Sequence, residues 1–506
     1  MTQATNKKQI ETPGKKVIRN YVFNLIYQVF LVIVPLVLTP YVSRVLLPEG
    51  VGQYSFSFSI ITYFTLFASL GFTMYGQKEI AKYQGNVEKQ TIIFWEINLV
   101  RFISTIICLI ANFIAVGLDF YGKYSLLLLI LSINIFACAF DIVFLFQGNE
   151  QFGKIVIRNV IVKLFGIIFV FLFVKDSNDV WIYTLINALI IFISNISLWL
   201  YLPKMLTRIK FKELKPFRHI KPTLALFIPT IVTSIYTVLD KTLIGLIIGD
   251  DAQNGYYEGA EKVIKMSLTF ITCLGSVMIA RNSKEIVDGN TDIVKNNVYF
   301  SIKFVWFLGC PLMFGLMAIS ENLNLWFFGE GYEAVIDLMI CFSPIILFLG
   351  LNNVLGIQYL IPAGKETQYT LSVLIGALFN FILNIILLYT VGTIGAVLSS
   401  VLAELVILIY QIIYLKREFS VKKMLFSGID NLIAGLIMFV CLYCIAKYFS
   451  SSIINTIILI IIGAAIYFVL IFIFKDRLVW TYIHKFIQKI KRGDKNEKNN
   501  KEINTF

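Results

Sequence analysis

The sequence predicts an all-α polytopic membrane protein with roughly fourteen transmembrane helices, since a span needs about 20 apolar residues and windows of that kind recur along the chain. Hydrophobic residues make up 58% of the 506 and charged residues only 15%. Mean hydropathy is +0.78, whereas an ordinary soluble domain is about a quarter charged. The second observation is local. Between Glu49 and Lys78 no residue is charged, and the stretch is long enough to cross a bilayer as a helix. A polar corner at Arg44 and Glu49 precedes it, and Lys78, Glu79 and Lys82 follow it, so 41–84 reads as a membrane hairpin with one tight polar corner and one basic return.

Taken in order, the expected span cores are 20–45, 53–74, 92–116, 125–147, 156–174, 180–202, 223–248, 259–280, 299–319, 336–361, 368–389, 393–415, 431–447 and 452–474. The uncharged stretch 367–403 holds two of them, with Gly392 and Gly395 marking the turn. Pro35 and Pro40 in the first span and Pro229 in the seventh are expected to bend their helices, which neighbouring helices tolerate in a bilayer.

Loop charge sets the orientation. Lys and Arg number 44 against 31 Asp and Glu, a net charge of +13. The basic segments are the N-terminus (Lys7, Lys8, Lys15, Lys16, Arg19), the loop with Lys78, Lys82 and Lys89, the loop 203–222, the loop with Lys416, Arg417, Lys422 and Lys423, and the tail after Phe474. The loops at 249–253 and 321–333 carry no Lys or Arg. The positive-inside rule then places both termini and Lys210 in the cytoplasm and Asp250–Asp251 outside. The basic excess is thus accounted for by cytoplasmic loops, with no nucleic-acid partner expected.

The basic loop 203–222 divides the chain. The expected organisation is a cytoplasmic N-terminal segment 1–19, a six-helix bundle 20–202, the linker 203–222, a second six-helix bundle 223–415, a basic loop with two additional helices 416–474, and a basic cytoplasmic tail 475–506. Gly52-Gln53-Tyr54 after the first span matches Gly255-Tyr256-Tyr257 after the seventh. Gln147-Gly148-Asn149-Glu150-Gln151-Phe152 after the fourth matches 363–369, Ala-Gly-Lys-Glu-Thr-Gln-Tyr, after the tenth. Similar offsets predict two pseudo-symmetric bundles related by an axis along the membrane normal, with a cleft between them.

Some charges lie within or beside spans, where each costs several kcal/mol unless it meets a wet cavity or a partner. Glu96, Arg101 and Lys303 lie near span ends, where snorkelling is expected. Lys262 and Lys265 open the eighth span and could do the same. Asp240 and Lys241 are adjacent and so point to different sides of one helix, toward partners on other helices. Asp141, Lys163 and Glu404 are deepest. Asn380 and Asn384 share a helix face and suit interhelical hydrogen bonds as well as ligand contacts.

No enzyme signature, phosphate-binding glycine loop, cofactor motif or metal-spaced cluster is present. Both histidines, His219 and His484, lie in basic segments. The seven cysteines all lie in apolar runs, so Cys441-x-x-Cys444 reads as apolar filler.

Several stretches resemble the bacterial polysaccharide flippases, the Wzx-type oligosaccharide transporters. They are LTPYVSRVLLPEGVGQYSFSFSIITYF with LGFTMYGQKEIAK, DIVFLFQGNEQFGKIVIRN at 141–159, LFIPTIVTSIYTVLDKTLIG at 226–245, NGYYEGAEKVIKM at 254–266, 356–384, and GAVLSSVLAE at 395–404. The likeness runs in order from Asn20 to Lys416. It implies the MATE-like fold of the multidrug/oligosaccharide-lipid/polysaccharide exporter superfamily, in a bacterial cell membrane. It also implies movement of undecaprenyl-pyrophosphate-linked oligosaccharide to the outer leaflet, alongside a polysaccharide polymerase and glycosyltransferases, with a proton or sodium ion as coupling ion. One departure stands at Ala280-Arg281, where relatives often carry proline before the arginine; it bears on how the eighth span ends. A cation-coupled drug antiporter of the same fold is the near alternative. A membrane glycosyltransferase or polymerase is the far one, and it would need a sizeable outer loop that this chain lacks.

A pyrophosphate cannot enter lipid unaided, because desolvating its charges costs too much. The expected site is therefore a net-positive cleft lined by Arg44, Lys163, Lys241, Lys262 and Lys265. Asp141, Asp240 and Glu404 would pair with these cations or carry the coupling ion. Lys123 and Lys175, in outer loops, should be silent on neutralisation.

Overall fold

The computed structural model describes residues 13–209, 212 and 214–476, with backbone only at 13–29, 31, 276 and a few positions within 225–235. The expectations for Lys7, Lys8, Lys210 and the tail beyond Asp476 lie outside the described residues, as do the side chains of Lys15, Lys16, Arg19 and Pro229. All regular structure among the described residues is helical. Twelve helical stretches there, against the fourteen expected spans, are long and apolar enough to cross a membrane. One of the twelve, Val32–Lys82, spans a break at Leu47, and the 28-residue helix Ile220–Ile247 is not among them.

The helices are α1 (Pro13–Ser69), α2 (Phe72–Lys82), α3 (Val87–Gly117), α4 (Ser125–Ala139), α5 (Val143–Gly148), α6 (Phe152–Phe173), α7 (Val180–Ser197), α8 (Ile220–Ile247), α9 (Asp251–Val287), α10 (Thr291–Phe327), α11 (Ala334–Phe342), α12 (Ile345–Asn352), α13 (Glu366–Val391), α14 (Thr393–Leu415), α15 (Val421–Phe426), α16 (Ile429–Ala446) and α17 (Ile453–Ile473). A π-helical segment, Asn353–Leu360, follows α12.

Local chemistry explains the interruptions. Within α1 the non-helical residue is Leu47, at φ 59 and ψ 173, and neither Pro35 nor Pro40 breaks the helix. Leu47 precedes Pro48, and proline disfavours helical geometry in the residue before it. The break falls inside the Arg44–Glu49 corner. The second expected span, 53–74, ends earlier, because Leu70 and Gly71 take positive φ and start α2 anew. Asn86 caps α3 by accepting from the Lys89 amide at 3.0 Å. Gly392, at φ 64, is the turn between α13 and α14. α9 continues through Ala280-Arg281 to Val287, past the expected end of its span at 280.

The chain forms two compact units, Met1–Glu258 with Asn384–Thr393, and Gly259–Leu383 with Ile394–Phe506. By this grouping α8 and the start of α9 fold with the first unit. In the first unit, Phe72, Phe94, Ile97, Phe144 and Phe146 form a buried aromatic-rich core. A second core joins Val42, Leu46 and Val51 to Val170, Val174 and Tyr183. In the second unit, Ala318 and Ile319 pack on Leu442 and Leu459. Outward residues of α17 such as Ile457, Ile461 and Phe468 are exposed and apolar, the pattern of a helix surrounded by lipid. All seven cysteines are unbonded, Cys441 and Cys444 included.

Hydrogen bonds define the two ends of the first unit. At one end Gln84 donates to the Gly148 carbonyl at 2.8 Å and Lys215 N donates to Glu96 at 2.7 Å. At the other, Tyr41 donates to the Val174 carbonyl at 2.7 Å and Lys123 to Asp251 at 2.7 Å. In the second unit Lys365 pairs with Glu418 at 2.5 Å, joining the loop before α13 to the loop after α14. Burial raises the Glu418 carboxyl, but hydrogen bonds from Lys365 and Tyr359 outweigh it and hold the group below its ordinary value.

Candidate functional site

The first unit concentrates polar side chains where α1, α8 and α9 meet. Two glycines permit the approach. A Cβ on Gly52 would stand 1.7 Å from the Asp251 carbonyl oxygen, and one on Gly255 would stand 2.0 Å from the Pro48 carbonyl oxygen. Only glycine fits either position. With the backbones this close, short polar side chains reach across. Ser55 donates to Glu258 at 2.9 Å, and Lys241 pairs with the same carboxylate at 2.5 Å. Thr242 donates to Ser59 at 2.9 Å and lies 3.0 Å from the Tyr63 hydroxyl. Gln53, Lys123 and Tyr124 all donate to the Asp251 carboxylate, at 3.0, 2.7 and 2.5 Å.

Asp240 is buried beside this cluster. It accepts from the Tyr257 hydroxyl at 2.5 Å and from the Asn384 amide at 2.7 Å. Asn384 is fully buried, and its side-chain oxygen has no hydrogen-bond partner among the described residues. Asp240 and Lys241 thus turn to different partners, as adjacent helical residues must. Asn380 and Asn384 do bond across helices, Asn380 to Ser400 at 3.1 Å.

The other expected site residues are dispersed. Arg44 is exposed on α1, one turn before the Leu47 break. Lys163 is half-buried on α6 and lines a cavity of about 200 Å³ with residues of α6 and α7. Asp141 lies between α4 and α5, accepting from the Val143 amide at 3.0 Å and Thr73 at 3.2 Å, with Arg101 at 4.0 Å. In the second unit, Lys262 is half-buried on α9, and the mostly exposed Lys265 pairs with Glu261 at 2.7 Å. Glu404 is buried there and accepts from Asn352 at 2.6 Å.

Three expectations are corrected. Arg101 does not snorkel: it is completely buried, with Phe72 and Phe144 rings 5.6 and 5.3 Å from its guanidinium carbon. Its Nε and Nη1 lack hydrogen-bond partners among the described residues. Glu96 is also buried, held by Arg218 at 2.5 Å, His219 at 2.7 Å and the Lys215 amide. Lys303 turns inward to the Ser427 carbonyl, Asn431 and Asp476. For Glu96 and Lys303 a polar partner from a distant segment replaces water, a relation invisible in a hydropathy window. Of the two outer-loop lysines, Lys123 is engaged by the buried Asp251 carboxylate, whereas the Lys175 ammonium donates to the Phe171 carbonyl.

Sequence reasoning missed Glu258 and Glu261, the acidic partners of Lys241 and Lys265. Glu258 lies one residue after the Gly255-Tyr256-Tyr257 motif, which was the available signal.

The model of the family described as polysaccharide biosynthesis protein matches residues 17–284. A proposed O-antigen transporter of Shigella dysenteriae is 25% identical over 382 residues, covering 75% of this chain and 94% of that protein. A solved structure of the lipid II flippase MurJ, in an inward closed conformation, has a TM-score of 0.75 at 18% identity and covers 91% of this chain and 100% of its own. The MATE multidrug transporter DinF-BH has a TM-score of 0.57 at 17% identity, covering 84% of this chain and 100% of its own. The two structures establish a MATE-like, MurJ-like fold. The family match covers more than half the sequence, and the chain belongs to the polysaccharide biosynthesis protein family of multi-pass membrane proteins.

Proposed function

We propose that this protein is a flippase carrying undecaprenyl-pyrophosphate-linked oligosaccharide repeat units from the inner to the outer leaflet of a bacterial cell membrane, for surface polysaccharide assembly. The observation that carries this reading is the likeness to the Shigella protein, which extends over 94% of that protein's length. Both termini lie in the cytoplasm in this reading, as the loop charges require. Two six-helix bundles, 20–202 and 223–415, alternate access to a cationic cleft, and the last two helices flank them. The lipid tail stays in the bilayer while the pyrophosphate and sugars move through a wet path. No bond is made or broken, so the protein acts without a catalytic residue. A polymerase and glycosyltransferases supply its context.

Fixed cations lower the cost of admitting a pyrophosphate. Of the five cations named above, Lys241 and Lys265 are already compensated by carboxylates at 2.5 and 2.7 Å. For them, substrate binding means exchange: the phosphate replaces Glu258 or Glu261, which favours release as well as capture. Asp240 is the coupling-ion candidate. A buried carboxylate beside the unpartnered Asn384 carbonyl oxygen offers oxygen acceptors and negative charge, which suit a proton or a sodium ion.

Reconstituted vesicles test the reading. A labelled lipid-linked oligosaccharide should become accessible at the opposite leaflet only with protein present. Efflux of cationic drugs without movement of the lipid-linked sugar would favour the antiporter instead.

A further inference from the structure

The cavity between α6 and α7 is lined by Arg158, Asn159 and Lys163 on one side and by Ser194, Asn195 and two isoleucines on the other. Its volume of about 200 Å³ exceeds several waters, at about 30 Å³ each, yet is too small for an oligosaccharide. Its lining contains two cations and no carboxylate.

The lining is braced. Arg158 donates from Nη1 to the Ser194 carbonyl at 2.6 Å and from Nε and Nη2 to the Asn159 oxygen at 3.1 and 2.6 Å. Asn195 donates to the Ala137 carbonyl at 2.9 Å. Arg158 is therefore a fixed wall, with α7 held against it.

Lys163 is placed differently. It sits near the middle of α6, about 16 Å along the helix from Phe152 at 1.5 Å per residue. It shares a helix face with Gly166 and Val170, which are buried, and not with the exposed Ile157, Ile161, Leu164 and Ile168. A Cβ on Gly166 would lie 2.1 Å from Ile190, so this face packs on α7. Snorkelling along the lipid face is not open to it. Among the described residues no carboxylate pairs with it, in contrast to Lys241 and Lys265. A cation at bilayer depth needs a counter-charge, and this one has an adjoining space sized for a small anionic group.

We propose that the α6–α7 cavity is a binding site for a lipid-borne phosphate, with Lys163 as its mobile cation and Arg158 as its fixed one. This rests on the flippase reading for the source of the phosphate, the pyrophosphate of the carrier lipid. The chemistry is shared by anionic phospholipids of the bilayer. The cavity admits the charged group and leaves the sugars outside, so it selects the carrier and not the glycan. One such site serves any repeat unit.

The test is binding to purified protein in mixed micelles, with undecaprenyl pyrophosphate, phosphatidylglycerol and uncharged undecaprenol as probes. Lys163→Gln should weaken undecaprenyl pyrophosphate about tenfold or more, the scale of a lost charge-assisted hydrogen bond. It should leave undecaprenol unchanged, and Lys163→Arg should retain binding. Ile191→Trp, which fills the cavity without altering charge, should weaken the same probe. An equal loss with phosphatidylglycerol would identify bilayer lipid as a further occupant of the site. Wild-type affinity for both anionic lipids in Lys163→Gln and Ile191→Trp, each still eluting as folded protein, would overturn the proposal. If wild-type protein still moves lipid-linked sugar in that case, the flippase reading stands alone. If phosphate binding depends on Lys163 but no lipid-linked sugar moves, the site stands and the flippase reading fails.

Discussion

Gly52 and Gly255 approach each other's helices reciprocally. Gly52 meets the carbonyl of Asp251, four residues before Gly255, and Gly255 meets the carbonyl of Pro48, four residues before Gly52. Exchanging the two helices reproduces the contact, so the crossing has a local two-fold character. These are the glycines of the two matching corner motifs. The sequence likeness therefore has a spatial counterpart at this point in the first unit.

The crossing should tolerate no side chain. Gly52→Ala and Gly255→Ala each place a methyl group into backbone, and overpacking of this kind costs about 1–3 kcal/mol or more. Thermal unfolding in detergent should show a clear loss for both. Gly117→Ala, where a Cβ meets nothing within 4 Å, should be near wild type. Equal stability of all three variants would refute the close crossing.

The Asp251 node should distinguish two lysines that look alike in sequence. Lys123→Gln removes a cation from a carboxylate that is 9% exposed, and should lower stability measurably. Lys175→Gln should be nearly silent, because the exposed Lys175 ammonium donates to the Phe171 carbonyl and otherwise lies 5.8 Å from the Tyr41 ring, while the amide that donates to Asp179 belongs to the backbone. Equal thermal shifts in the two variants would contradict this.

Glu96 should tether the segment before α8. Removing the carboxylate in Glu96→Ala leaves His219 and the Lys215 amide without their acceptor, at a cost of about 1–3 kcal/mol. The half-exposed Arg218 adds little to that. Limited trypsin digestion should cut within 204–215 faster in the variant, with α3 itself intact. An unchanged cleavage rate would show that the tether is not limiting.

Glu418 should give a pH-dependent contribution of defined sign. Its folded carboxyl is held below its unfolded value, so its stabilisation is complete above the unfolded pKa of about 4.3 and is lost as pH falls through the depressed folded value. The stability gap between wild type and Glu418→Gln should be constant near neutrality and close in acid. The effect is small, because the side chain is partly exposed. A gap that widens on acidification would contradict the pairing with Lys365.

Much of the architecture was legible because hydropathy acts locally. The Arg44–Glu49 corner, the Gly392 turn and the alternation of loops are properties of short windows. The sub-breaks at Leu70–Gly71 and at 140–142, and the π segment 353–360, were not legible, because each lies inside a long apolar window whose mean is barely changed by single polar residues such as Asp141, Asn353 or Gln358. The site was less legible. Charges at span ends such as Glu96, Arg101 and Lys303 read as snorkelling, and their actual partners come from segments up to well over a hundred residues away. Lys241 and Asp240 were correctly singled out as charges needing partners on other helices. Glu258 was overlooked because its place near a corner made it look solvated.

The central claim is movement of a lipid-linked sugar, and the most direct measurement is flipping in proteoliposomes. Vesicles containing this protein and a labelled undecaprenyl-pyrophosphate-linked oligosaccharide are probed with a glycosidase that cannot enter. Protein-dependent exposure of label initially on the inner leaflet, reduced in Lys163→Gln and Lys241→Gln but not in Lys175→Gln, is the result expected. Label that stays protected at the same level with and without protein, under both proton and sodium gradients, would contradict the account.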